Sequence, residues 1–328
     1  MTNHPFPLWP LQFRICTLVS TAIVLLILTT GCTQVIAPIG SWESGLYTNH
    51  PLVGKIWDNN KEAFIDGDEL FVAITNSQYV LLGEKHDNPD HHRLQLDLLN
   101  QLIASNKLDS ISLEMIDSSS DDRLETIQQQ NINSLDELKV YLEWEEEGWD
   151  WPYYGPLILD SLQAGIAVRS ANISSQQVGE MYGQPLDEAV SSVLDATAIE
   201  QLNEEIDASH CNMLPASQFP AMVGIQQARD HQMALSLTFE QADLLPGMIR
   251  LLVAGNYHVR QDLSVPNYIM ALNPSTSREQ IVALAFLEVD PESDDPLDYM
   301  QAYSSISPYD FIWFTPSSSN EDYCASLQ

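Results

Sequence analysis

Residues 80–99 read VLLGEKHDNPDHHRLQLDLL, an apolar run that breaks at one glycine into a cluster of ionisable side chains. Glu84, His86, Asp87, Asp90, His91 and His92 stand close together, directly after Val80–Leu82. Imidazoles and carboxylates at that density can bind a metal or exchange protons, or they can be only the polar loop that a strand needs before a helix begins. A second cluster follows another apolar run, where Ala254 leads into Gly255-Asn256-Tyr257-His258 and then Arg260. Between the two in sequence, Leu113 leads into Glu114.

The pattern Gly-x-x-His therefore occurs twice, each time after an apolar strand. Glycine lets the chain turn where a Cβ would obstruct, and the histidine can point back across the sheet edge. In open α/β sheets, ligands bind outside the carboxyl ends of the strands. Glu84, His86, Glu114 and His258 thus form a candidate ligand set for Zn, Fe or Mn, or a general acid–base pair. One such motif alone would usually be a strand-end glycine with a hydrogen-bonded loop histidine. Two at equivalent places, with Glu114 between, favour a site. His91 lies on the apolar face with Leu94 and Leu98 and reads as a satisfied, half-buried histidine. His92 is read with it, as part of the helix.

The elements that must position these groups follow a βα alternation. Val80–Leu82 and Ser110–Leu113 flank a helical pattern that starts at Asn88-Pro89, an N-cap followed by proline in the first turn. Leu94, Leu98, Leu99, Leu102 and Ile103 fall at helical spacing, so the unit opens a parallel α/β sheet. Ile166–Arg169, Leu251–Ala254, Ile281–Val289 and Phe311–Phe314 read as further strands. Helical patterns cover about 121–146, 187–209 and 217–243, and the first, with the aromatic stretch after it, reads as an inserted cap over about 117–160. No internal repeat is visible.

Residues 1–31 read as a secretory signal: Arg14 precedes an apolar stretch, Ile15–Leu28, that is short for a membrane span. Gly31-Cys32 resembles the lipobox of bacterial lipoproteins, in which the signal is removed before a cysteine that then carries lipid. Thr29 departs from the common leucine, so an uncleaved N-terminal anchor stays open. Thr33 after the cysteine leans toward the outer membrane, facing the periplasm. Residues 32–60 read as a tether, 61–315 as the domain and 316–328 as a tail. Cys211 and Cys324 then form an even pair that an oxidising compartment permits to bond, which spacing alone does not establish. With 46 acids against 13 bases, a net charge of −33, the surface repels nucleic acid, so no nucleic-acid partner is expected.

The segment LLGEKHDNPDHHRLQLDLL resembles the opening motif of the ChaN family, bacterial lipoproteins implicated in haem and iron uptake. SLEMID (112–117), EGWDWPYYGPL (147–157), SHCNMLP (209–215), QQARDHQMA (226–234) and VAGNYHVRQDLSVPNY (253–268) match in order, over about residues 60–290. On these motifs the chain is identified as a member. The resemblance extends to the erythromycin-esterase and Tiki-type domains, in which paired Gly-x-x-His motifs and glutamates line the site. It implies a three-layer α/β/α fold around a mixed, largely parallel sheet. It also implies Glu84, His86, Glu114 and His258 as site residues, with His210 and Arg260 as an anion contact or further ligand.

Two functions follow from it. In haem or iron binding, slightly favoured, Trp144, Trp149, Trp151, Tyr153 and Tyr154 offer a flat apolar surface, with Tyr153 or Tyr154 axial and Arg260, Arg169 or helix N-termini meeting the propionates. The same aromatics could instead anchor the cap on the core. In a metal-dependent hydrolase, His86 and His258 would hold a metal or act as base, Glu84 or Glu114 would activate water, and Arg260 would hold an anion. A vestigial site that serves only as a binding surface is a third reading. Whether the protein forms a homodimer is left open.

Overall fold

The computed structural model describes residues 1–2, 41–239, 245–301, 303–321 and 324–325. The chain divides into two units, 1–33 and 34–328, and the first lies almost wholly outside the described residues. The expected signal peptide, the lipidation at Cys32 and the start of the tether lie outside them too. Among the described residues no helix is long and apolar enough to cross a membrane.

Among the described residues eight strands form one sheet: β1 (Ile56–Asp58), β2 (Ala63–Ile65), β3 (Tyr79–Glu84), β4 (Leu108–Asp117), β5 (Ala167–Asn172), β6 (Ile249–Gly255), β7 (Ile281–Glu288) and β8 (Phe311–Thr315). Their order is β2-β1-β8-β7-β3-β6-β4-β5. β3 to β8 pair in parallel, and β1 runs antiparallel to both its neighbours. The sheet is mixed and largely parallel.

Alternation along β3 explains its unbroken apolar run. Val80 and Leu82 enter one core and Tyr79 and Leu81 the other, and all four are fully buried. The first core takes residues from α1 (Gly67–Thr75), α2 (Pro89–Ala104), α3 (Asp121–Ile127), α4 (Leu135–Leu142) and α5 (Trp151–Gln163). On the second face α6 (Ser175–Met181) borders a small satellite cluster, while α7 (Glu188–Ser191), α8 (Ala196–Ser209), α9 (Phe219–Thr238) and α10 (Val265–Leu272) supply the second core. That is a three-layer α/β/α arrangement.

Several boundaries differ from the sequence reading, each for a local reason. The pattern over 121–146 is two helices, because Ser134 caps a new start by accepting from the Glu137 N–H. The pattern over 187–209 breaks likewise, with Asp195 capping α8. The cap reading over 117–160 is corrected in its second half. α5 buries Leu157 and Ile158 against the sheet as an ordinary helix between β4 and β5.

The described part of the tether, 41–60, is also built into the domain. β1 joins the sheet, and the Asp90 carboxylate accepts from the Glu43 and Ser44 N–H groups. The tail starts no later than its own fastening: Ser317 bridges Leu46, and the Ser318 N–H donates to Glu288. Strands of three residues show no alternation, which is why β1 and β2 were missed.

Candidate functional site

β3 delivers Glu84 to its carboxyl end, 2% exposed. Glu84 Oε1 accepts from the Tyr154 hydroxyl at 2.6 Å and lies 2.9 Å from His86 Nδ1, while Oε2 lies 3.2 Å from His92 Nδ1. Burial pushes this carboxyl up, but His92 and His86 outweigh it and hold Glu84 well below the usual carboxylate range. The converse holds for the two imidazoles. Burial lowers both, yet Glu84 raises them above the ordinary histidine value, with Glu114 adding to the effect on His86. His92 Nε2 also donates to the His86 carbonyl at 2.9 Å. With its Nδ1 side held by a buried carboxylate, His86 lines the cavity beyond and meets the edge of Trp149 at 4.9 Å between centroids.

β4 and β6 build the other half. The pairing of β4 with β5 shifts between Leu113 and Asp117, the stretch that contains Glu114. Glu114 Oε2 accepts from the Gly255 N–H at 2.7 Å, and Oε1 lies 3.4 Å from His258 Nε2. On its other side, His258 Nδ1 lies 2.5 Å from Asp230 Oδ1 of α9. Burial would lower His258, but Glu114 and Asp230 together push it up to about 10. Glu114, despite burial, is held down at about 2 by His258, whereas burial keeps Asp230 up at about 6. His258 is an imidazolium between two carboxyl groups at neutral pH.

Glu84, His86, Glu114 and His258 therefore meet at one end of the sheet. A cavity of about 220 Å³ is lined by His86, Glu114, His258 and Arg260 among others. Arg260 forks onto Asp262 at 3.0 and 2.8 Å. His210 is not brought there. It is exposed at the end of α8, with Nδ1 folded onto the Ile206 carbonyl at 2.7 Å. Tyr154 is buried with its hydroxyl spent on Glu84, whereas Tyr153 is half-buried and stacks on His92 at 4.1 Å. Arg169 lies over the Phe239 ring instead of facing the cavity.

Among the described residues no group of three or more His, Cys, Asp or Glu is arranged to hold a metal ion. His258 directs both ring nitrogens at carboxylates, and Glu84 is surrounded by its own partners. Cys211 and Cys324 are bonded, 113 residues apart, with Cα atoms 5.4 Å apart.

Two residues of this constellation were not singled out in the sequence. His92, assigned to the helix, faces Glu84. His91, its neighbour, is the satisfied one, fully buried with Nδ1 accepting from the Lys85 N–H and Nε2 2.9 Å from Thr315 Oγ1. Asp230 carried no signal beyond its place in QQARDHQMA.

The sequence matches the family described as haem-binding uptake, Tiki superfamily, ChaN, over residues 70–269. Among solved structures it is similar to ChaN of Campylobacter jejuni, described for cofacial haem binding, with TM-score 0.62 and 24% identity over 79% of this chain and 95% of that one. Weaker likenesses include a mutant of the erythromycin esterase EreC (TM-score 0.39, 14% identity, 78% and 81% covered). The type III effector HopBA1 is another (TM-score 0.40, 11%, 76% and 93%). No curated protein matches the sequence. The chain belongs to the ChaN haem-binding uptake family.

Proposed function

We propose that this member of the family binds haem through Tyr153, which stacks on His92 beside the Glu84–His86 pair. The observation that carries the reading is the Tyr153 hydroxyl. It makes no hydrogen bond among the described residues, and its ring is fixed by the stack on His92. A bound haem would supply an iron that takes an oxygen or nitrogen donor from the protein. Tyr153 would give that oxygen. Tyr154, equal to it in sequence, is committed to Glu84. Lys85 stands at the same strand end but pairs with Asp87 and Glu288 at 3.1 and 3.0 Å.

In the same proposal the protein takes part in iron uptake, held by lipid on Cys32 at the outer membrane and facing the periplasm. Titration of the purified protein with haem tests the binding. The expected result is a saturable Soret band that Tyr153→Phe shifts and weakens, and that Tyr154→Phe leaves in place. No saturable band in the wild type, or an unchanged one in Tyr153→Phe, counts against it.

A second reading rests on the paired histidines. His86 and His258 line one cavity, and each has its Nδ1 beside a buried carboxylate, Glu84 or Asp230. Carboxylates placed so orient an imidazole for proton transfer. In this reading the protein is a hydrolase, and metal analysis of untreated protein decides whether Zn, Fe or Mn takes part. Ester turnover lost in both His86→Ala and His258→Ala would support it.

A further inference from the structure

Arg229 precedes Asp230 on α9 and lines the 220 Å³ cavity together with His258, Ser209 and Glu205. Its Nε is buried without a hydrogen-bond partner. The guanidinium makes no hydrogen bond or ion pair among the described residues. Lys85, Arg93, Arg250 and Arg260 each hold a carboxylate.

The carboxylates that line the same cavity are engaged elsewhere. Glu114 is held by the Gly255 N–H and His258, and Glu205 accepts from the Tyr303 hydroxyl at 2.6 Å. Asp230 feels the Arg229 charge but spends its bonded oxygen on His258. A guanidinium presents a planar fork of donors shaped for two carboxylate oxygens, and leaving it unpaired in a half-buried place costs desolvation without return.

We infer that this cavity is a binding site for a single carboxylate group, held by the Arg229 guanidinium. Its size sets the ligand class. At 220 Å³ it is smaller than the ~300–1,000 Å³ of pockets that enclose a drug-sized molecule, so one arm enters and the bulk of the ligand stays outside. That arm is either a propionate of haem, which rests on the haem reading above, or a free small carboxylate, which does not.

Two measurements separate the sources. In the first, wild-type protein and Arg229→Gln are titrated with haem and with haem dimethyl ester. The expected result is that the wild type prefers the free acid by about tenfold or more, and that Arg229→Gln loses the preference. In the second, sodium propionate is titrated against the Arg229 Nε–H signal of the wild-type protein by NMR. A saturable shift of that signal without a preference between the porphyrins assigns the site to a free carboxylate. If neither porphyrin binds, the haem reading fails and the propionate titration alone decides. Equal affinity for the two porphyrins, or no binding of either, together with an unmoved Arg229 signal overturns the inference. Both wild-type measurements hold even if the variant is unstable.

Discussion

The His86 imidazole lies over Gly255, so close that a Cβ on that glycine would stand 3.0 Å from Nε2. The relation is returned at the other motif. A Cβ on Gly83 would stand 2.5 Å from both Asn256 Oδ1 and Val259 Cγ2. Each Gly-x-x-His motif thus supplies the glycine that admits the other, and the two strand ends interlock.

The two glycines should fail differently. His86 is a flexible side chain, 43% exposed, and can swing away from Gly255→Ala. That variant should keep its melting temperature nearly unchanged while the His86 titration and haem affinity change. Gly83→Ala meets a fully buried Val259, and overpacking there should cost about 1–3 kcal/mol in urea unfolding. Equal stability loss in both variants would remove the distinction.

How much of this was legible depends on how local each signal was. Glu84 and His86 follow an apolar run and a glycine within one short segment, and β6 repeats the pattern, so both strand ends could be read from neighbours alone. His92 could not. Helical periodicity puts it next to His91, and only the fold-back of Asp87-Asn88 returns the first turn of α2 to Glu84. Asp230 meets His258 across 28 residues, through the packing of α9 on the sheet, a contact that no spacing encodes. The parallel α/β sheet was readable because strands buried on both faces have unbroken apolar runs, as Val80–Leu82 does, whereas the three layers were implied only by the family resemblance.

His258 should impose a pH dependence on stability at the alkaline end. Its folded value near 10 stands above the ordinary 6.5 of an unfolded chain. A group raised on folding contributes fully below the unfolded value, and the contribution is lost as pH rises through the folded one. The gap in urea-unfolding free energy between wild type and His258→Gln should therefore be wide at about pH 7 and narrow by about pH 10. Asp230, titrating near 6, stays ionised across that window in the wild type. A gap that widens with pH would show that His258 is not the charged partner of Glu114 and Asp230.

The proposed location rests on one residue, Cys32. If the chain is a lipoprotein cleaved before Cys32, then Cys32→Ser should move the mature domain from the membrane fraction to the soluble one. In this reading the lipid on Cys32 is what holds the domain at the membrane, so loss of that residue should be decisive. A variant that stays in the membrane with residues 1–31 still attached would establish an uncleaved anchor instead.

Glu84 is the residue on which the first half of the site depends, because His86, His92 and Tyr154 all converge on its carboxylate. Glu84→Gln keeps the shape and removes the charge. His86 and His92, raised by that charge against the effect of burial, should then titrate at lower pH, which ring-proton NMR reads directly. Stability should fall as well, since removing one partner of a buried ion pair costs about 3–5 kcal/mol and the amide recovers part of it by hydrogen bonding. The sign with pH is opposite to that of His258. Glu84 is depressed on folding, so its contribution is present above about 4.5, the ordinary glutamate value, and is lost as pH falls below it. The gap between wild type and Glu84→Gln should therefore be full at about pH 7 and shrink progressively as pH falls below about 4.5 toward the depressed folded value. Haem affinity should drop too, because Tyr153 is positioned by its stack on His92. Histidine titrations that do not move in Glu84→Gln would mean that the charge of Glu84 does not set these imidazoles, and the polar cluster after Leu82 would then be the loop that its strand requires and nothing more.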